Sequence, residues 1–392
     1  MTNKPLLFSP LNLRDLEIAN RVVLSPMCQY SAIEGALNAH HLVHLSQFAM
    51  GGTGLIFVEA TGVERKGRIT HGCTGLWDDN QIESHTQIVK AIKEHGATIG
   101  LQLAHAGRKA STQRPWEGDG ALTKNDFARG ELAWEIIGPS AIPFAESWLT
   151  PKALSISDIA DNINSWVTAT KRAHVAGYDA IEVHSAHGYL SHSFLSPLSN
   201  TRSDRYGGSA INRMRFTLEL CEAVRSAWPS AKPLFVRISC VDGIEGGRDI
   251  IESISLAKEL KLIGVDVIDC SSGGISGNGK NTMAPPTPGY QVEFAAEIRR
   301  TANIMTQAVG LVLDANQAET ILRSGSADLV AIAREALHNP YWANHAAESL
   351  NADPEYKSWP QQYGYWLKNR ALGMFAGRPG GSDTANKHNN KS

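Results

Sequence analysis

Eight short apolar runs, rich in β-branched residues, punctuate the chain at 21–25, 54–60, 98–105, 179–183, 233–238, 265–269, 303–309 and 328–333. Runs of this length that are apolar nearly throughout read as strands buried on both faces, as in a parallel sheet. Between them, apolar residues recur at three- and four-residue spacing and predict helices over 41–50, 81–95, 157–176, 212–228, 249–262, 292–302 and 315–324. Gly51-Gly52, Gly96 and Gly325 mark helix stops, and Ser157, with Asp158 in the first turn, marks a start. Residues 6–18 are broken up by Pro10, Asn12 and Asp15 and predict a small β-hairpin.

Eight strands, nearly all followed by a helix and with no antiparallel turn chemistry between them, fit an α/β fold of the (β/α)8 TIM-barrel type. A doubly wound open sheet is the competing arrangement. It calls for a G-x-G-x-x-G turn after the first strand, and none is present there. Gly274-Ile275-Ser276-Gly277-Asn278-Gly279 follows the sixth run and leads into prolines rather than a helix, so it is a loop. Residues 106–150 interrupt the pattern after the third strand. Their aromatics, Trp116, Trp134, Phe144 and Trp148, favour an ordered lid over a disordered insert. One domain is expected over 1–375, with 376–392 too poor in apolar residues to fold.

Composition narrows the function. A chain with 42% hydrophobic residues and a net charge of −2 offers no electrostatic case for nucleic acid or an anionic membrane. Neither a secretory h-region nor a membrane-length apolar run is seen, so a cytoplasmic protein is expected. Five cysteines without C-x-x-C pairing argue against disulfides, zinc and iron–sulfur clusters. Cys221, Cys240 and Cys270 read as small core residues. Cys28 follows a strand beside Gln29 and Tyr30 and stands apart.

In such a barrel the C-terminal strand ends meet at one mouth. They bring together Ser25 to Cys28, Tyr30, Ala60, Gln102, His184, His187, Tyr189, Arg237, Ser271-Ser272, Gly310 and Ala333-Arg334. Two imidazoles and a phenol within six positions of a strand exit point to chemistry rather than packing. His184-x-x-His187 has no third ligand for a metal, and His40-His41-x-x-His44 at a helix start reads as packing histidines. No metal is expected. The late loops around Gly310 and Ala333-Arg334 suit a phosphate. The residues alone imply a phosphorylated cofactor or sugar held in a barrel mouth.

Leu7-Phe8-Ser9-Pro10, Asn20-Arg21, Pro26-Met27, Gln102, His184-x-x-His187-x-Tyr189, Phe194-Leu195-Ser196-Pro197 and Asn200-Thr201-Arg202-x-Asp204-Arg205-Tyr206-Gly207-Gly208 resemble the old yellow enzyme family of FMN-dependent ene-reductases. Pro26-Met27-Cys28-Gln29-Tyr30 resembles its thermophilic-like, xenobiotic reductase subgroup. The resemblance implies non-covalent FMN lined by Ser25, Pro26, Met27, Cys28, Ala60, Gln102 and Arg237, with its phosphate near Gly310, Ala333 and Arg334. The family usually has glycine where this chain has Ala333. NADPH or NADH would reduce the flavin, and an activated alkene would then bind. His184 and His187 would hold its carbonyl or nitro oxygen, Tyr189 would protonate it, and Tyr30 would contact it. Tyr365 and Trp366 would reach substrate across a homodimer or homotetramer interface. Two enzyme alternatives stay open: reduction of other xenobiotics such as nitro compounds or quinones, and a non-redox phosphate-binding barrel. A non-catalytic flavin-binding redox sensor is the third.

Overall fold

The computed structural model describes residues 4–371. Its eight barrel strands are β1 (Val22–Leu24), β2 (Leu55–Gly62), β3 (Thr98–Ala104), β4 (Ala180–Ser185), β5 (Leu234–Ser239), β6 (Val267–Ser271), β7 (Met305–Ala308) and β8 (Leu329–Ile332). Each lies parallel to its neighbours in chain order, and Val330–Val22 to Ile332–Leu24 pairing joins β8 to β1 and closes the barrel. Outside it run α1 (Ala39–Met50), α2 (Ile82–Glu94), α3 (Ile156–Val175), α4 (Ala210–Ala227), α5 (Ile250–Ile263), α6 (Val292–Ala302), α7 (Ala315–Arg323) and α8 (Trp342–Ser349).

Alternation along each strand divides the core in two. Ile56, Val58, Leu101, Leu103, Ile181, Val183 and Val236 belong to an outer layer shared with Phe48, Ile92, Trp166, Leu220 and Ile298 of the helices. Val23, Leu55, Phe57, Phe235, Val267 and Leu329 form the inner layer, which Leu13 and Ile18 join from the hairpin Leu11–Leu13 and Leu16–Ile18. Burial on both sides explains why the strands read as unbroken apolar runs. The hairpin stops the N-terminal end of the barrel, each of those two side chains contributing about 1.5–3 kcal/mol. Only the opposite mouth remains for a ligand. The Phe57 and Phe235 rings meet edge to face at 5.2 Å. Gly100 leaves the room: a Cβ there would lie 2.4 Å from Phe57.

Several boundaries differ from the sequence expectation. Ser155, not Ser157, caps α3: its hydroxyl accepts from Asp158 N at 3.1 Å, and the Asp158 carboxylate accepts from Ser155 N at 2.9 Å. Asp158 is thus the third residue of a capping box, which sets the cap three positions upstream. Asn38 caps α1 in the same way, so that the helix begins two residues before its expected start. The sixth strand runs 267–271 rather than 265–269.

Segment 106–150 is ordered, through a small buried cluster of Ala106, Ala110 and Ile136 and through a set of polar bonds. Short turns at Gly107–Lys109 and Pro115–Glu117 and a helix at Lys124–Ala128 precede a two-residue strand, Ile137–Gly138, paired with Lys152–Ala153. Arg114 and Arg129 bridge Glu117 and Glu131, and Arg129 also pairs with Asp126. Residues 376–392, expected to be unfolded, lie outside the described residues. No described helix is long and apolar enough to cross a membrane.

Candidate active site

The exit of β4 has a tightly constrained backbone. His187 and Gly188 are both left-handed, at φ +58° and +76°. A Cβ on Gly188 would fall 2.2 Å from the Gly274 carbonyl oxygen, so only glycine fits there. This turn brings His184, His187 and Tyr189 together. The His184 ring stands perpendicular to His187 at 5.2 Å and to Tyr189 at 4.8 Å. Ala186 N–H donates to His184 Nδ1 at 3.2 Å, which places the ring proton of a neutral imidazole on Nε2. His187 N–H donates to Ser239 Oγ at 3.0 Å, and His187 Nε2 lies 2.7 Å from Ser271 Oγ.

All three groups are neutral. Burial, then the nearby Arg237 charge, holds both imidazoles well below their ordinary pKa. Burial, with Cys28 adding, pushes the Tyr189 phenol well above its own. The array offers two imidazoles and a proton-bearing phenol without a fixed charge.

Two supports escaped the sequence reading. His192 is fully buried: its Nδ1 accepts from Gly188 N–H at 2.8 Å, and its Nε2 lies 2.9 Å from Asp242 Oδ1. Ser196 Oγ and Arg248 N–H donate to Asp242 Oδ2 at 2.6 and 2.8 Å. Burial raises the Asp242 pKa, but the bonds from His192 and Ser196 and the Arg248 charge outweigh it and bring the carboxyl to about 2. The Leu190–Leu195 helix thereby ties the β4 exit to the loop after β5. Lys109 is the other support. Its Nζ donates to the His187 carbonyl at 3.0 Å and lies 4.5 Å from the Phe144 ring centre and 5.2 Å from that of Tyr189. The only sequence signal for it was its place shortly after the third strand.

On the facing strands, Ser25 follows β1 and accepts from Arg237 Nη1 at 2.9 Å. Glu59 of β2 accepts from Gln29 N–H at 2.8 Å and so anchors the loop that carries Pro26, Met27, Cys28 and Tyr30. Burial, then Glu59, pushes the Cys28 thiol well above its usual pKa. Burial does the same to Tyr30, whose ring meets the Trp116 edge at 5.9 Å. Ala60 lies in β2 and Gln102 in β3; Gln102 Nε2 donates to Glu182 Oε1 at 2.8 Å.

A cavity of about 450 Å³ opens beside these groups, bounded by His187, Arg237 and Ser271 and, at the late loops, by Gly310, Ala333 and Arg334. Gly310 is at φ +118°, and a Cβ on it would press on Tyr290 at 2.9 Å. Arg334 makes no ion pair among the described residues. A cavity that carries one guanidinium in the barrel and another at the late loops has the charge to hold a phosphorylated flavin. Tyr365 and Trp366 do not join this mouth within the chain. They are 64% and 61% exposed on Gln361–Asn369, packed edge to face on each other.

Residues 6–353 match the NADH:flavin oxidoreductase / NADH oxidase family. The chain is 47% identical over 347 residues to an NADPH dehydrogenase of Geobacillus sp. (strain WCH70), covering 88% of this chain and 94% of that one. It is 44% identical over 349 residues to an NADPH dehydrogenase of Bacillus subtilis (strain 168), covering 88% and 96%. Among solved structures, morphinone reductase superposes with a TM-score of 0.71 at 26% identity, over 88% of this chain and 90% of that one. The chain belongs to the NADH:flavin oxidoreductase / NADH oxidase family: it is an enzyme of old yellow enzyme type, with FMN as cofactor and NAD(P)H as reductant.

Proposed function

We propose that the enzyme reduces activated C=C bonds of α,β-unsaturated carbonyl or nitro compounds. The neutral array of His184, His187 and Tyr189 carries this reading, with the His184 proton fixed on Nε2 by the Ala186 N–H. FMN, when bound, supplies hydride to the β-carbon. Imidazole N–H groups of His184 and His187 donate to the substrate oxygen and stabilise the enolate-like charge that builds on it. Tyr189, kept protonated by burial, delivers the proton to the α-carbon as a general acid. Tyr30, which interacts with Cys28, would contact the substrate. FMN would be held by Ser25, Pro26, Met27, Cys28, Ala60, Gln102 and Arg237, and its phosphate by Gly310, Ala333 and Arg334.

The test is turnover of 2-cyclohexenone with NADPH and with NADH, by the wild type and by Tyr189→Phe. The variant should keep flavin reduction and lose about 10²-fold or more in alkene reduction. Equal loss of both half-reactions would overturn the assigned role. Quinones, which need no proton on carbon, separate the second reading: if they alone turn over, and Tyr189→Phe spares them, the protein is a quinone reductase. The exposed pair Tyr365–Trp366 supports a homodimer or homotetramer in which these rings meet a neighbour's substrate. Tyr365→Ser should then raise the alkene KM.

A further inference from the structure

Beneath the mouth, the barrel holds a second polar layer of which the proposed chemistry uses only Gln102 and Arg237. Gln102, Glu182, Arg237, Asp269 and Gln307 come from the five successive strands β3 to β7, and all are buried. Strand register sets Gln102 beside Glu182, and Asp269 beside both Arg237 and Gln307. Two carboxylates thus share this space with one guanidinium, whose Nε lies 3.4 Å from Asp269 Oδ2. Glu182 Oε2 and both Asp269 oxygens receive no hydrogen bond from any donor of the described residues. Buried carboxylate oxygens left without donors are costly, and two ionised carboxylates side by side more so. One proton between them gives Glu182 Oε2 a bond to Asp269 and leaves a single negative charge beside Arg237.

We propose that Glu182 and Asp269 share one proton, Glu182 as the acid and Asp269 as the carboxylate, and that this pair positions Gln102 and Arg237 against the FMN pyrimidine edge. Gln102 is then linked through Glu182 and Asp269 to Arg237. Gln102 Nε2 donates to Glu182 Oε1 at 2.8 Å, so the amide oxygen of Gln102 faces the other way, as an acceptor for the ring imide N–H. Glu182 Oε2–H donates to Asp269, and Asp269 holds the Arg237 guanidinium from one side. Ser25 Oγ accepts Nη1 from the other, which leaves Nη2 for the cofactor. Burial first, then the neighbouring carboxyl, raises Glu182 well above the ordinary carboxylate range; burial also raises Asp269, with Arg237 opposing. The inference rests on the placement of FMN at Gln102 and Arg237 proposed above.

The test uses the FMN-bound enzyme at neutral pH. Infrared spectra should show a carboxylic-acid C=O stretch that shifts in D2O and is lost in Glu182→Gln. That variant keeps an acceptor for Gln102 and a donor for Asp269, so its FMN affinity should stay within about threefold of wild type. Glu182→Leu offers neither and should bind FMN about tenfold or more weakly. Asp269→Asn, which strips the Arg237 counter-charge, should weaken binding by on the order of 100-fold. Absence of the acid band overturns the shared proton. So does equal weakening by Glu182→Gln and Glu182→Leu, which would mean that an ionised Glu182 was the working form. A band that is present while all three variants bind FMN like wild type overturns the positioning role and the pyrimidine-edge placement, but leaves the alkene chemistry of Tyr189 to its own test.

Discussion

Lys109 is buried enough to be a weak cation and close enough to Tyr189 to matter. Burial lowers its ammonium pKa to about 8, Asp119 opposing and Arg108 adding to the fall. At pH 7 it is charged and favours the phenolate that forms once Tyr189 gives up its proton. Above its pKa this help disappears. Re-oxidation of the reduced enzyme by a slowly protonated alkene should therefore slow as pH rises through about 8. Lys109→Met should be slower at pH 7 by about tenfold, or roughly 1.4 kcal/mol, and should lack that limb. Identical pH profiles for the two proteins would remove Lys109 from the mechanism.

Among the elements, the β4 exit turn depends on a pair outside it. Asp242 fixes the His192 tautomer that leaves Nδ1 free to accept the Gly188 N–H. With Asp242→Asn the turn loses that restraint, and the imidazoles on it drift from their working geometry. Alkene turnover should fall on the order of 10- to 100-fold while FMN affinity holds. Loss of both together would place Asp242 in general folding instead. Caps offer a smaller test. Ser155→Ala should cost about 1 kcal/mol by denaturant titration, and Ser157→Ala much less, since only Ser155 closes the box with Asp158. That cap also shows where sequence reading stopped short. Two serines stand at the start of α3, and the choice between them depends on which one Asp158 reaches. Strands were legible because double burial writes itself as continuous apolar runs, as in 55–58, and the mouth was legible because residues at strand ends share it. The Glu182–Asp269 pair was not, because barrel closure brings them together from strands far apart in sequence. His192 and Lys109 were missed for a related reason. Each acts through a backbone group, Gly188 N–H or the His187 carbonyl, and such a contact leaves no motif.

Over the whole molecule, neutral buried histidines set the acid limit of stability. Burial lowers His44 to about 4, with His40 and His41 adding, and lowers His85 to about 4 against an opposing bond to the Gly75 carbonyl. His184 and His187 are held well below their ordinary pKa by burial and Arg237. In the unfolded chain each titrates near 6.5. Between pH 6.5 and about 4 the unfolded state therefore binds more protons, and stability falls as pH falls. Glu64 and Asp242 behave differently. Burial opposes their ionisation, but the His105 contact at 3.4 Å and the His192 hydrogen bond prevail and lower both to about 2. Their contribution is present above the ordinary carboxylate range and is lost progressively as pH falls from there to about 2. Acid unfolding should thus begin in the histidine window, before the carboxylates contribute. At pH 5 each buried histidine costs roughly 2 kcal/mol relative to pH 7. The most isolated of them is His85, where Nδ1 meets the Tyr178 hydroxyl at 2.7 Å and Nε2 the Gly75 carbonyl at 3.1 Å. His85→Gln keeps an acceptor and a donor there but cannot titrate. Its thermal midpoint should fall less steeply than that of the wild type between pH 6.5 and 4, and the two curves should run parallel below that. Equal slopes across the window would mean that His85 is already protonated in the folded enzyme.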